Sequence, residues 1–150
     1  MYHKATSESP DLLAEWRWLV GGHPRCCGWS SAGDLFYADT TGQVWRLDTG
    51  AAEAERVGTS QAAFDDLLGN RARADELLMA PVVQAFEELY GPLGAAQCLG
   101  FKSLPVLGGT YTAENRVALP ICEHAAATGE MHRQIRDLPD GATVRVTVIP

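Results

Sequence analysis

Apolar positions recur at helical spacing in some stretches of the chain and alternate with polar ones in others, which predicts a mixture of helices and short strands. Leu12, Leu13, Trp16 and Leu19 predict an opening helix. Ser9 would cap it, Pro10 suits its first position, Asp11 favours its positive end, and Gly21-Gly22 stops it. Residues 23–31 combine Pro, Gly, Ser and a Cys pair, the composition of a loop or irregular extended stretch. Leu35 and Tyr37 then alternate with Phe36 and Ala38, and Val44 and Arg46 with Trp45 and Leu47. The Asp39-Thr40-Thr41-Gly42 turn between them makes a hairpin. After a second turn at Asp48-Thr49-Gly50, Glu55, Arg56 and Val57 add a third short strand, so this region reads as a meander.

Ser60 opens a further helix with Phe64, Leu67 and Leu68 on one face and Asp65 and Asp66 on the other, ended by Gly69-Asn70. A longer helical region runs from about Ala72 to Tyr90, with Leu77, Leu78, Val82, Ala85, Phe86 and Leu89 as its apolar stripe. Pro81 breaks that region and starts a fresh helix, and Gly91-Pro92 terminates it. Strands are expected at Gln97–Lys102 and Arg116–Cys122, with a turn at Pro105–Tyr111 around Gly108-Gly109. His124–Ile135 predicts a last helix and Leu138–Gly141 a turn. Ala142, Val144, Val146 and Val148 alternate with Thr143, Arg145 and Thr147, the pattern of a half-buried closing strand. The expected fold is a single α+β domain: a mostly antiparallel sheet, meander plus C-terminal strands, with three to five helices packed against it. Residues 1–32 form its N-terminal helix and irregular segment, and residues 33–150 its compact body.

Composition narrows the function classes. At 150 residues the chain can bury one ordinary core, and 46% hydrophobic content is too high for a disordered chain. No apolar run approaches the roughly 20 residues that span a bilayer, so no membrane partner is expected. The first ten residues lack an apolar signal core, which leaves the cytoplasm as the expected location. A net charge of −7 repels nucleic acid and favours a basic protein surface. The four cysteines form no CxxC pair and read as reduced, mostly buried thiols.

Candidate chemistry is sparse. His124 and His132 stand eight residues apart on a helix, roughly 12 Å along its axis, too far for one metal ion even with Cys122 nearby. His23, Cys26 and Cys27 make only a loose trio, and Cys98 or Cys122 with a histidine lacks any surrounding nucleophile pattern. Gly108-Gly109 has neither the lysine nor the helix start of a phosphate loop. The pairs Asp65-Asp66, Asp75-Glu76 and Glu87-Glu88 read as solvated helix faces. No metal, cofactor or catalytic residue is expected.

Four stretches in order resemble a known bacterial family. They are Gly33-Asp34-Leu35-Phe36; Val44-Trp45-Arg46-Leu47-Asp48-Thr49; Gln97-Cys98-Leu99-Gly100-Phe101-Lys102 with Pro105–Tyr111 and Asn115; and Gly129–Ile135 running into Asp137-Leu138-Pro139-Asp140-Gly141. Together, over about Gly33 to Val146, they resemble the C-terminal domain of immunity proteins paired with type VI secretion DNase effectors. The resemblance implies a cytoplasmic, non-enzymatic protein that binds and blocks a cognate toxin. A toxin that cleaves nucleic acid presents a basic cleft, into which an acidic inhibitor is steered.

The expected contact surface is the meander side, at Asp39, Trp45, Glu53 and Glu55, together with the loop near Lys102 and Tyr111. Turns on a rigid sheet concentrate binding residues, and Trp and Tyr are common anchors. The alternative from another class is a small-ligand or enzyme domain, in which Trp29, Tyr37, Trp45, Phe101 and Tyr111 line a pocket containing His124 or His132. The oligomeric state is open.

Overall fold

In the computed structural model, which describes residues 1–147, one strand is buried on both faces and the rest of the molecule closes around it. Leu35, Phe36, Tyr37 and Ala38 are all buried. Alternation sends Leu35 and Tyr37 to one side and Phe36 and Ala38 to the other. Two layers of cover are therefore required, and the fold is a single α+β domain.

The sheet holds five antiparallel strands in sequence order: β1 (Tyr2–Lys4), β2 (Arg25–Ser30), β3 (Leu35–Ala38), β4 (Val44–Asp48) and β5 (Glu53–Gly58). The meander 35–58 forms where the alternation places it, with Gly42 at φ 84° in the β3–β4 turn. The segment expected to be loop or irregular is β2, which pairs with β1 and β3. Its register shifts between Cys26 and Gly28, which breaks the period of two. At Gly28 a Cβ would collide with the His3 carbonyl, so only glycine lets β1 approach.

The opening helical stretch is shorter than its periodicity suggests. A 3-10 turn at Ala14–Trp16 runs into α1 (Arg17–Val20), and Asp11, not Ser9, accepts a backbone N–H there, from Leu13 at 3.1 Å. Leu12, Leu13 and Trp16 still bury fully, against Leu35, Tyr37 and Leu47. The same face receives Ile121 and Ala125 of α5 (Ile121–Ile135), and the Trp16 indole N–H donates to the Ala125 carbonyl at 2.9 Å. Cys122 therefore sits on this helix and not at the end of a strand.

The opposite face is covered by α2 (Gln61–Gly69) and α3 (Arg71–Leu77), through Phe64, Ala74 and Leu78 against Phe36, Ala38 and Val44. Ser60 caps α2 by accepting from the Ala63 N–H, as expected. The helical region breaks before Pro81: Met79 takes the left-handed region at φ 53° and α4 (Ala80–Tyr90) starts afresh. Its buried stripe keeps Phe86, as expected, but takes Val83 in place of Val82. Val83 and Phe86 enter the core while Leu89 is 61% exposed, because the helix is docked by a narrow strip over Leu99 and Ala113.

Strands β6 (Gln97–Phe101) and β7 (Arg116–Pro120) pair antiparallel as a separate two-stranded sheet. The expected closing strand does not form. Residues 142–147 have no regular secondary structure, and Val148 lies outside the described residues. Alternation alone cannot hold a strand, which needs a ladder partner.

Phe64→Ala should lower unfolding stability by about 3–5 kcal/mol, the usual loss for a fully buried phenylalanine. Leu89→Ala should change it by less than about 0.5 kcal/mol, since an exposed side chain leaves no cavity. Urea denaturation of the two variants checks both values.

Candidate functional site

The six expected contact residues fall into separate parts of the meander surface. Asp39 organises the β3–β4 turn. Its Oδ1 accepts from the Thr41 N–H at 2.9 Å, the Thr41 hydroxyl at 2.7 Å and the Gln43 N–H at 3.1 Å. Its Oδ2 accepts from the Trp45 indole N–H at 2.9 Å. These donors from Thr41 and Trp45 hold its carboxyl down to about 2. Trp45 is half-buried and packs against the core cluster of Leu35, Tyr37 and Leu47. Asp39 and Trp45 thus serve the turn first, and offer a partner only one indole edge.

Glu53 and Glu55 are exposed on β5. Pairing sets Glu55 beside Arg46 and Glu53 beside Asp48. Arg46 reaches Glu55 at 3.1 Å and Asp34 at 3.9 Å, while its buried Nε has no partner among the described residues. Along β4, Arg46 and Asp48 alternate with Trp45 and Leu47, so the carboxylates of β5 share the opposite face from Trp45.

Tyr111 joins that group, because its hydroxyl donates to Asp48 Oδ2 at 2.9 Å. Burial and the neighbouring Asp48 carboxylate raise the pKa of the phenol. Lys102 is exposed; its N–H donates to the Asn115 carbonyl at 2.8 Å, which closes the loop between β6 and β7. Glu53, Glu55, Asp48 and Tyr111 therefore belong to one end and face of the sheet, and Asp39 with Trp45 to the other.

Behind that face lies a buried polar centre that the sequence reading missed. Arg116 is 1% exposed, and its guanidinium donates to the carbonyls of Ala32 at 2.9 Å, Leu99 at 3.2 Å and Tyr111 at 3.2 Å. It lies over the Phe101 ring at 4.0 Å from the centroid, a cation–π contact in a dry site. Burial pulls its pKa down, opposed by the charges of Asp34 and Asp48. Asp34 is itself buried, and desolvation with the nearby Asp48 charge pushes its carboxyl up to about 7. An arginine at the head of an apolar strand and an aspartate just before another were the traces of this centre in the sequence.

The two histidines do structural work. Thr49 donates its hydroxyl to the Gly33 carbonyl at 2.8 Å, and His124 Nε2–H is shared between that carbonyl at 3.0 Å and the Thr49 oxygen at 2.9 Å. Burial lowers the His124 pKa to about 4, so the ring is neutral at physiological pH. His132 Nε2–H donates to the Thr49 carbonyl at 2.9 Å. Gly33 is required here: at φ 99°, a Cβ would stand 2.6 Å from the Leu99 carbonyl and 2.8 Å from His124 Nε2.

Among the described residues, no three His, Cys, Asp or Glu side chains are grouped to hold a metal ion. Trp29 and Tyr37 are core, and Phe101 packs edge-on to Tyr111 at 5.6 Å, so these aromatics fill space where the alternative reading needed a pocket. All four cysteines are free, Cys27 and Cys98 buried, Cys26 half-buried and Cys122 exposed. No described helix is long and apolar enough to cross a membrane.

Residues 59–132 match the family described as T6SS immunity protein Tdi1, C-terminal. The matched segment runs from the start of α2 into α5, and includes Lys102 and Tyr111 but not Asp39, Trp45, Glu53 or Glu55. No curated protein matches the chain.

The buried titratable groups set opposite pH trends. Asp34 binds its proton more tightly folded than unfolded, so its contribution is full below about 3.8 and is lost as pH rises through about 7. His124 behaves inversely: folding refuses a proton that the unfolded chain takes below 6.5, so stability rises from about pH 4 to 6.5. Compared with Asp34→Asn, the wild-type urea midpoint should therefore lose ground as pH rises from about 4 to about 7. A difference between the two that stays constant over this range would reject Asp34 as the source of the trend.

Proposed function

We propose that this member of the T6SS immunity protein Tdi1 C-terminal family neutralises a cognate effector by binding it, with no chemistry of its own. The family match across residues 59–132 carries this reading. The buried centre agrees with it, since Arg116, His124 and His132 spend their donors on backbone carbonyls and leave no side chain poised over a cleft.

The effector is a basic nuclease in this reading, met in the cytoplasm. A net charge of −7 steers the chain towards a cationic cleft. The contact surface is the meander side, with Glu53 and Glu55 exposed on β5 near the Lys102–Tyr111 loop as its main patch, and Asp39 with Trp45 as a second patch at the other end and on the opposite face. The acidic pair governs approach, and the edges of Trp45 and Tyr111 supply anchoring contacts. Inhibition follows from occupying the cleft that would otherwise take DNA.

Reversing both charges, Glu53→Lys with Glu55→Lys, should slow association with the effector roughly tenfold at low ionic strength and flatten its salt dependence. Dissociation should change far less. Stopped-flow mixing at several salt concentrations reads both rates. Unchanged rates and salt response, with binding abolished by charge reversal at Asp65 and Asp66 instead, would move the surface to α2.

A further inference from the structure

Residues 142–147, Ala-Thr-Val-Arg-Val-Thr, have the alternation and the β-branched content of a strand. They form no ladder among the described residues; the Ala142 N–H donates to Pro139 and closes the preceding turn. Residues 144–147 line a shallow groove together with Glu130, Met131 and Ile135 of α5; Val144 is half-buried there and Val146 is 56% exposed. Such a segment has donors and acceptors to give and lacks a strand to give them to.

The sheet has a free edge of matching length. β5 is six residues long and pairs with β4 on one side only. Beside it, between β5 and α3, runs an open groove of about 480 Å³ with Val57 and Leu77 among its apolar lining, and its charged lining mixes Arg46, Arg56 and Arg73 with Glu55 and Glu76. The opposite edge, β1, has three residues and ends on Lys4. The two-stranded sheet carries no carboxylate on either strand. On β5 itself Glu53 and Glu55 outnumber Arg56, so of these edges it is the one whose own charge suits Arg145. Glu55 spends one oxygen on Arg46 and remains largely exposed, its side chain 65% accessible.

We propose that residues 142–147 of one copy pair antiparallel along β5 of a second copy, with Arg145 opposite Glu55. In that register Val146 faces Ala54 and Thr143 faces Val57, and every strand residue keeps a compatible neighbour. A slip of one residue would set Arg145 against Arg56 or Ala54, so the charge pair selects the register. Reciprocal exchange closes the assembly as a two-fold dimer with two identical ladders. The interface is small, which makes the dimer weak and concentration-dependent. The pairing takes up Glu55, which the proposed effector surface also uses, so the dimer and the effector complex compete for β5; sedimentation of the chain alone tests the pairing without the effector.

Sedimentation velocity from about 10 μM to about 1 mM, the range in which weak interfaces populate, tests it on the full chain. The wild type should pass from monomer to dimer. Glu55→Arg and Arg145→Glu should each lower the association constant about tenfold, because two opposed pairs become like-charged. Mixed in equal amounts, these two variants should recover wild-type association, since each tail then meets an oppositely charged β5. Val146→Pro, which removes a ladder donor from a segment outside the core, should remain monomeric with an unchanged melting temperature. A wild type that stays monomeric at about 1 mM would overturn the proposal. So would variants that dimerise like the wild type, or a mixture that recovers nothing.

Discussion

Burying the Arg116 guanidinium is the constraint on which the arrangement of the two sheets depends. A charged group 1% exposed is tolerable only if acceptors surround it, and here they come from distant parts of the chain. Ala32 lies in the β2–β3 turn, Leu99 on β6 and Tyr111 in the loop before β7, and each offers its carbonyl. The Phe101 face closes the remaining side. Moving the two-stranded sheet away from the meander would strand a charge in a dry interior. The nearby Asp34 and Asp48 carboxylates compensate part of that charge, and Asp48 ties in Tyr111 as well.

With the sheets locked by Arg116, the remaining packing is a matter of covering β3. Its two faces demand Trp16 and α5 on one side and Phe64 with α3 on the other. Neutral His124 and His132 pin α5 to the turns at Gly33 and Thr49 without placing any further charge inside. The consequence for function is a meander whose far strand packs on the core through Val57 and keeps its two carboxylates in solvent. Glu53 and Glu55 stand on that strand, free to face a partner, while the titratable groups of the interior are committed to holding the scaffold.

Much of this was legible from local pattern. The hairpin at 35–48 has clean alternation and a glycine where the turn needs positive φ, and the break before Pro81 follows from the missing N–H of proline. β2 escaped because a register shift at Cys26–Gly28 and burial of its C-terminal residues erase the period of two. The stripe of α4 was legible at Phe86, but the pattern took Val82 for Val83 and Leu89 as buried, since periodicity gives a face but not the angle at which that face docks. Residues 142–147 carry a true strand pattern, but a strand is a property of two segments, and the second lies outside the local sequence. The polar centre was nearly invisible for the same reason. Asp34, Arg46, Asp48 and Arg116 meet only in three dimensions. Of the expected contact residues, Tyr111 reaches that centre by its bond to Asp48, and Glu55 touches its rim through Arg46.

The central claim is that the chain works by occupying a toxin. Purifying it from its native host under gentle conditions and identifying the bound protein by mass spectrometry tests this most directly. The expected finding is a stoichiometric partner with a basic nuclease domain, released by high salt as an acidic surface on a basic cleft requires. A stable complex with a housekeeping protein, and no toxin, would contradict it.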